Sequence, residues 1–301
     1  MGHGNLLGKL ALIGLTWHLR TPTVSAQDTI PFILTAYNNI VVPAVFNGTD
    51  TLRLMFHSSF TGVSVTQDGL KRCSTMRANA EGVAHSWGGD AKSSLSSDNV
   101  LRIGGSLWDS STVTVDEQSG QGSDGKFGYD LFADKVLEIN YDSREFIVHG
   151  SIPEQTKEYS SLPLKDIDGS LYVEASITLV DSSYTDQFML HTGYGGTCIL
   201  GTGFMARVDG PFQLDTLGVK ELSDSFGNVL KNVTTRTPRL LLGDHMFSDV
   251  RIQVMDRRSQ FEASVLGNDL LRRFDTLIDL RNGRLYLKPN RSMGEAFSER
   301  F

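Results

Sequence analysis

The sequence predicts a mainly β fold in which one unit is used twice. Three observations lead there. The first is an internal repeat: residues 86–149 overlie 225–288 at a constant offset of 139, with no gap. Ser86-Trp87-Gly88-Gly89 falls on Ser225-Phe226-Gly227-Asn228. Leu101-Arg102-Ile103-Gly104 falls on Leu240-Leu241-Leu242-Gly243, and Gly128-Tyr129-Asp130-Leu131 on Gly267-Asn268-Asp269-Leu270. The second is short-range alternation of the strand type, as in Leu52, Leu54 and Phe56 leading into His57. The third is the shortness of the helix candidates. Tyr129 to Lys135 and Asn268 to Phe274 each offer barely two turns.

Taken in chain order, residues 1–26 read as a signal peptide. Lys9 precedes the apolar stretch Leu10 to Trp17, Thr21-Pro22 breaks it, and Val24-Ser25-Ala26 is a small-residue cleavage pattern. The expected location is therefore secreted or periplasmic. No run approaches the about 18 apolar residues of a membrane span, so none is expected. Lys and Arg number 28 against 35 Asp and Glu, net −7, and the missing basic footprint speaks against a nucleic-acid partner.

Residues 28–150 form the expected first lobe. Its end pairs Val136 to Tyr141 with Glu145 to His149 as a hairpin. Residues 151–164 carry Pro153, Pro163 and polar side chains, and are expected as a linker. Residues 165–290 form the second lobe, where Asn282-Gly283 marks a tight hairpin. Residues 291–301 read as a polar tail. The two cysteines, Cys73 and Cys198, show no metal or redox spacing, and separate buried thiols are the default. Sequons occur at Asn47, Asn232 and Asn290.

Upstream of the gapless region the offset falls to 134. There Phe56-His57-Ser58-Ser59 meets Leu190-His191-Thr192-Gly193. An apolar strand, a three-residue turn, a glycine-bearing hairpin, then apolar-apolar-Gly and a short helix resemble the retropepsin-like and pepsin-like aspartic peptidases. Val265-Leu266-Gly267-Asn268-Asp269-Leu270-Leu271 carries the likeness most clearly, with Asp124-Gly125-Lys126-Phe127-Gly128 as a worn copy. Asn38-Asn39-Ile40 and Val45-Phe46-Asn47-Gly48 resemble the opening of exported bacterial members. The resemblance implies two homologous acid-protease β-barrel lobes around a central cleft, each covered by a flap. It places Trp87, Gly88, Phe226 and Gly227 on the flap segments as substrate contacts.

In that family the turn reads Asp-Thr-Gly or Asp-Ser-Gly, and two adjacent carboxylates share a proton to activate water. Here both acid positions are histidine, His57 and His191. The bracing hydroxyls Ser58 and Thr192 remain. Asp50, Asp68 and Asp186 are nearby carboxylates, and none enters a Thr/Ser-Gly turn. Four readings follow: an inert pair, a peptide- or protein-binding cleft without turnover, a histidine-based hydrolase, and a metal site with His85 as third ligand. The leading expectation is a monomer that binds a peptide without the ordinary aspartyl reaction and needs no cofactor. The alternative is an active hydrolase using the histidine pair or a metal they hold.

Overall fold

The computed structural model describes residues 27–86, 89–179, 181–208, 215–256 and 258–300. The signal-peptide expectation, Trp87 and Gly88 lie outside them. The described chain is mainly β, arranged as a thirteen-stranded and an eight-stranded sheet.

Burial alternates along the strand Asp50–His57: Asp50, Leu52, Leu54 and Phe56 point inward, while Thr51 and Arg53 face out. Behind it lies an aromatic core. Phe56 meets Phe127 at 5.5 Å and Phe146 at 5.1 Å between ring centroids, and Phe132 meets Phe146 at 5.8 Å. In the second half Phe188, on the strand Ser182–His191, packs on Phe204 at 6.1 Å.

One connectivity recurs in both halves. Asp50–His57 runs parallel to Gly125–Gly128, with His57 opposite Gly128. Ser182–His191 runs parallel to Ser264–Gly267, with His191 opposite Gly267. Each glycine-ended strand also pairs antiparallel with a short strand after the histidine turn, Val63–Thr66 or Cys198–Leu200. Each then enters a single helical turn, Tyr129–Phe132 or Asn268–Leu271. Both turns are shorter than the sequence pattern predicts, because Val136 and Phe274 already begin the next strands.

The halves are joined through one sheet. The hairpin Val136–Asn140 with Glu145–His149 has its counterpart in Phe274–Asp279 with Arg284–Pro289. Gly283 takes a φ of +58° at the second turn, as the Asn-Gly signal demands. Val136–Asn140 then pairs antiparallel with Phe274–Asp279, and Glu138 sits opposite Leu277. Those two residues are 139 apart, so each faces its own repeat equivalent. A local twofold axis passes through this pair.

Two segments are more ordered than their composition suggests. Part of the linker 151–164 is paired. Glu154–Glu158 is a 3-10 turn, and Ser160–Ile167 is a strand held between Arg284–Pro289 and Ser170–Leu179. The open edge of Arg284–Pro289 supplies the ladder partners that this backbone requires. Residues 291–300, the described part of the polar tail, are anchored. The guanidinium of Arg273, fully buried, donates to the carbonyls of Ser292 at 2.9 Å, Glu295 at 2.7 Å and Ala296 at 3.3 Å. It also lies 3.9 Å from the Phe297 ring centre.

Candidate functional site

The two histidine turns interlock. The Ser58 amide donates to Thr192 Oγ1 at 3.1 Å, and the Thr192 amide donates to Ser58 Oγ at 3.0 Å. Each hydroxyl donates onward across the interface: Ser58 Oγ to the Leu190 carbonyl at 2.7 Å, Thr192 Oγ1 to the Phe56 carbonyl at 2.8 Å. Both residues are buried. This reciprocal set brings the last residues of the two strands together. The rings of His57 and His191 stand 4.5 Å apart between centroids, inclined by 60°.

Gly193 makes room for that approach. A Cβ there would fall 2.5 Å from His57 Cδ2 and 2.6 Å from Nε2. Gly193→Ala therefore displaces the His57 ring and costs about 1–3 kcal/mol, read by urea denaturation and a shifted His57 imidazole NMR signal. An unchanged signal would refute the contact. On the other side Ser59 takes the equivalent place. Its amide donates to His57 Nδ1 at 3.3 Å, which assigns the proton of the neutral ring to Nε2. His191 Nδ1 is buried and has no hydrogen-bond partner among the described residues.

Burial holds His57 well below the usual histidine range, and His191 and Lys126 add to the depression. Burial likewise pushes His191 down to about 4, with Lys126 acting in the same direction. Both imidazoles are accordingly neutral in the fold near pH 7. The unfolded chain takes up these protons near pH 6.5, so their contribution to stability is full above that value. It is lost as pH falls through the folded value of His191. Urea midpoints should drop between about pH 6.5 and 4, and drop less steeply in a His57→Gln/His191→Gln variant. Parallel curves would sink the assignment.

The nearby carboxylates are engaged elsewhere. Asp50 accepts from the Ser74 and Thr75 amides, each at 2.8 Å; Asp68 pairs with Lys71, and Asp186 with Arg207. Among the described residues, no carboxylate is bonded to either site histidine, and no three His, Cys, Asp or Glu side chains converge as metal ligands. The His85 side chain lies outside the described residues. Of Asn38 and Asn39, singled out in the sequence, Asn38 bridges the halves and Asn39 bonds within the first half. Asn38 Nδ2 donates to the Gly195 carbonyl at 2.9 Å, and Asn39 Nδ2 to Gln121 at 3.0 Å. Both cysteines are free and buried, and burial raises both thiols. Asn232 of the second sequon is fully buried.

Phe226 and Gly227 lie at the tip of the hairpin formed by Gly218–Ser223 and Val229–Leu242. That tip is seated on the first half. The Ser225 carbonyl accepts from the Glu117 amide at 3.2 Å and the Gln118 amide at 3.1 Å. Phe226 lines an open cavity of about 330 Å³ with Leu70, Lys92, Val115 and Glu117, and neither site histidine lines it. The structure thus unites His57, Ser58, His191 and Thr192.

Sequence reasoning missed Lys126. It is buried in the strand Gly125–Gly128, pairs with Asp116 at 2.9 Å, and donates to Ser225 Oγ at 2.6 Å. A lysine inside an otherwise glycine and phenylalanine strand was the available signal.

A scan against protein-family models finds no match, and a search of curated proteins finds no relative of this chain.

Proposed function

We propose that the chain is a two-lobed protein of the acid-protease type that binds an extended peptide between its lobes and does not perform the ordinary aspartyl reaction. The observation that carries this is the reciprocal Ser58/Thr192 bonding, which seats two histidines side by side where the resembled family seats its acids. That family needs one carboxylate ionised and one protonated. Two neutral imidazoles supply neither. An extended peptide gains affinity from main-chain pairing, which needs no catalytic dyad. In the same proposal residues 28–150 and 165–290 are the lobes, residues 1–26 direct export to a secreted or periplasmic location, and the protein acts as a monomer.

A peptide-library assay over pH tests this. The native protein is expected to bind peptides without cleaving them, and His57→Asp/His191→Asp to gain cleavage with an acidic optimum. Cleavage by the native protein that disappears when either histidine becomes alanine would overturn the proposal. It would establish the second reading, a histidine-based hydrolase. The close approach of the two imidazoles, 4.5 Å between ring centroids, is what favours that reading, because facing rings can share one proton.

A further inference from the structure

The two sides of the histidine pair carry unlike chemistry. In the repeat, positions 116 and 126 overlie 255 and 265. The second half has Met255 and Val265, which pack with Met189 and Ile199. The first half has Asp116 and Lys126, an ion pair whose side chains are only 3% and 9% exposed. A buried ion pair contributes little net stability over an apolar contact of similar size, so this replacement calls for another explanation.

The pair is oriented. Asp116 Oδ2 also accepts from Ser64 Oγ at 2.7 Å, and Ser64 is fully buried. Lys126 faces the hairpin tip of the second half. Its ammonium donates to Ser225 Oγ of the seated hairpin tip and stands 4.7 Å from the Phe60 ring centre. The same Phe60 ring meets His57 edge-on at 6.1 Å. The ammonium bears on both imidazoles electrostatically. Two of its three protons are assigned, one of them to a neutral hydroxyl on a hairpin tip. The unpartnered His191 Nδ1 adds a second unmet polar group at the pair. The side belonging to the first half therefore presents the Lys126 ammonium and the His57 imidazole, with His191 of the second half next to His57 and the Asp116 carboxylate occupied by Lys126 and Ser64.

We propose that the site selects a carboxylate-bearing ligand, whose anionic group docks on Lys126 beside His57 and His191 in place of the Ser225 hydroxyl. This rests on the peptide-binding reading and names the charge of the peptide. A charged acceptor makes a stronger bond to an ammonium than a hydroxyl does. The carboxylate comes from an Asp or Glu side chain or from a peptide C-terminus.

Fluorescence polarisation with blocked octapeptides tests the proposal on the full chain. Each peptide is made with Glu or with Gln at one position, and the Gln peptides also with a free C-terminus. The native protein should bind one acidic form about tenfold more tightly than its neutral twin. Which form prefers the site identifies the source of the carboxylate. Asp116→Met/Lys126→Val copies the second half's own pair, so it should keep its melting temperature and lose the preference. Equal affinity of acidic and neutral peptides for the native protein overturns the proposal and leaves peptide binding standing. So does a preference that survives in the folded double variant. Where no peptide binds, the histidine NMR signals decide. Movement of His57 and His191 with blocked glutamate, and none with blocked glutamine, upholds the carboxylate site while the peptide reading falls. No movement with either overturns both.

Discussion

Ser58→Ala and Thr192→Val each destabilise the protein by about 2–4 kcal/mol. The cost lies less in the lost bonds than in what they leave behind. Removing Ser58 Oγ strands the Thr192 amide and the Leu190 carbonyl; removing Thr192 Oγ1 strands the Ser58 amide and the Phe56 carbonyl. An unsatisfied buried group costs about 1–3 kcal/mol, whereas a satisfied hydrogen bond returns only about 1. The two residues bond each other reciprocally, so their effects do not add. A double-mutant cycle in urea should give a coupling of about 0.5–3 kcal/mol. Strict additivity would mean that the turns do not act as one unit. The His57–His191 approach depends on the same bonds, so the imidazole NMR signals of both rings should move in either single variant.

The second large effect is at Arg273. Arg273→Met should cost about 3–5 kcal/mol and release residues 291–300 to proteolysis. The guanidinium spans four carbonyls, those of Asp269, Ser292, Glu295 and Ala296, and stacks on Phe297. Methionine fills the space and satisfies none of the oxygens. Asp269, fully buried, keeps Arg272 at 3.1 Å and the Ser298 amide at 2.8 Å, so the lost element is the anchor and not the charge balance of Asp269. Limited proteolysis with mass spectrometry reads the release. A variant that keeps its C-terminal segment protected would refute the anchoring role.

Much of the β pattern was legible because it is local. Turn glycines, apolar pairs and the Asn-Gly hairpin recur at one offset, and each needs only its near neighbours to be read. The histidine pair was legible for the same reason, since Ser58 and Thr192 follow directly on the histidines. What stayed hidden is held by partners distant in the sequence. Residues 291–300 look polar and unremarkable, yet Arg273, Asp269 and Arg272 hold them from one short helical turn and its end. Residues 151–164 carry linker composition, yet the edge of Arg284–Pro289 draws in their second part. The hairpin tip at Ser225 reaches Lys126 and Glu117 across about a hundred residues. The Asp116–Lys126 pair did leave a trace: two charged residues overlie Met255 and Val265 in the repeat, and a comparison position by position exposes them.

The pairing of Glu138 with Leu277 also bears on how the chain is made. Val136–Asn140 gains its second neighbour only when Phe274–Asp279 has left the ribosome. At about 5–20 residues per second that delay is roughly ten seconds. During it the nascent first half carries an open strand edge, a template for any matching strand. The best match nearby is the same segment of another nascent copy, since the twofold register lets one half stand in for the other. Translation on crowded polysomes should accordingly favour half-exchanged dimers, and dilute, slow synthesis should suppress them.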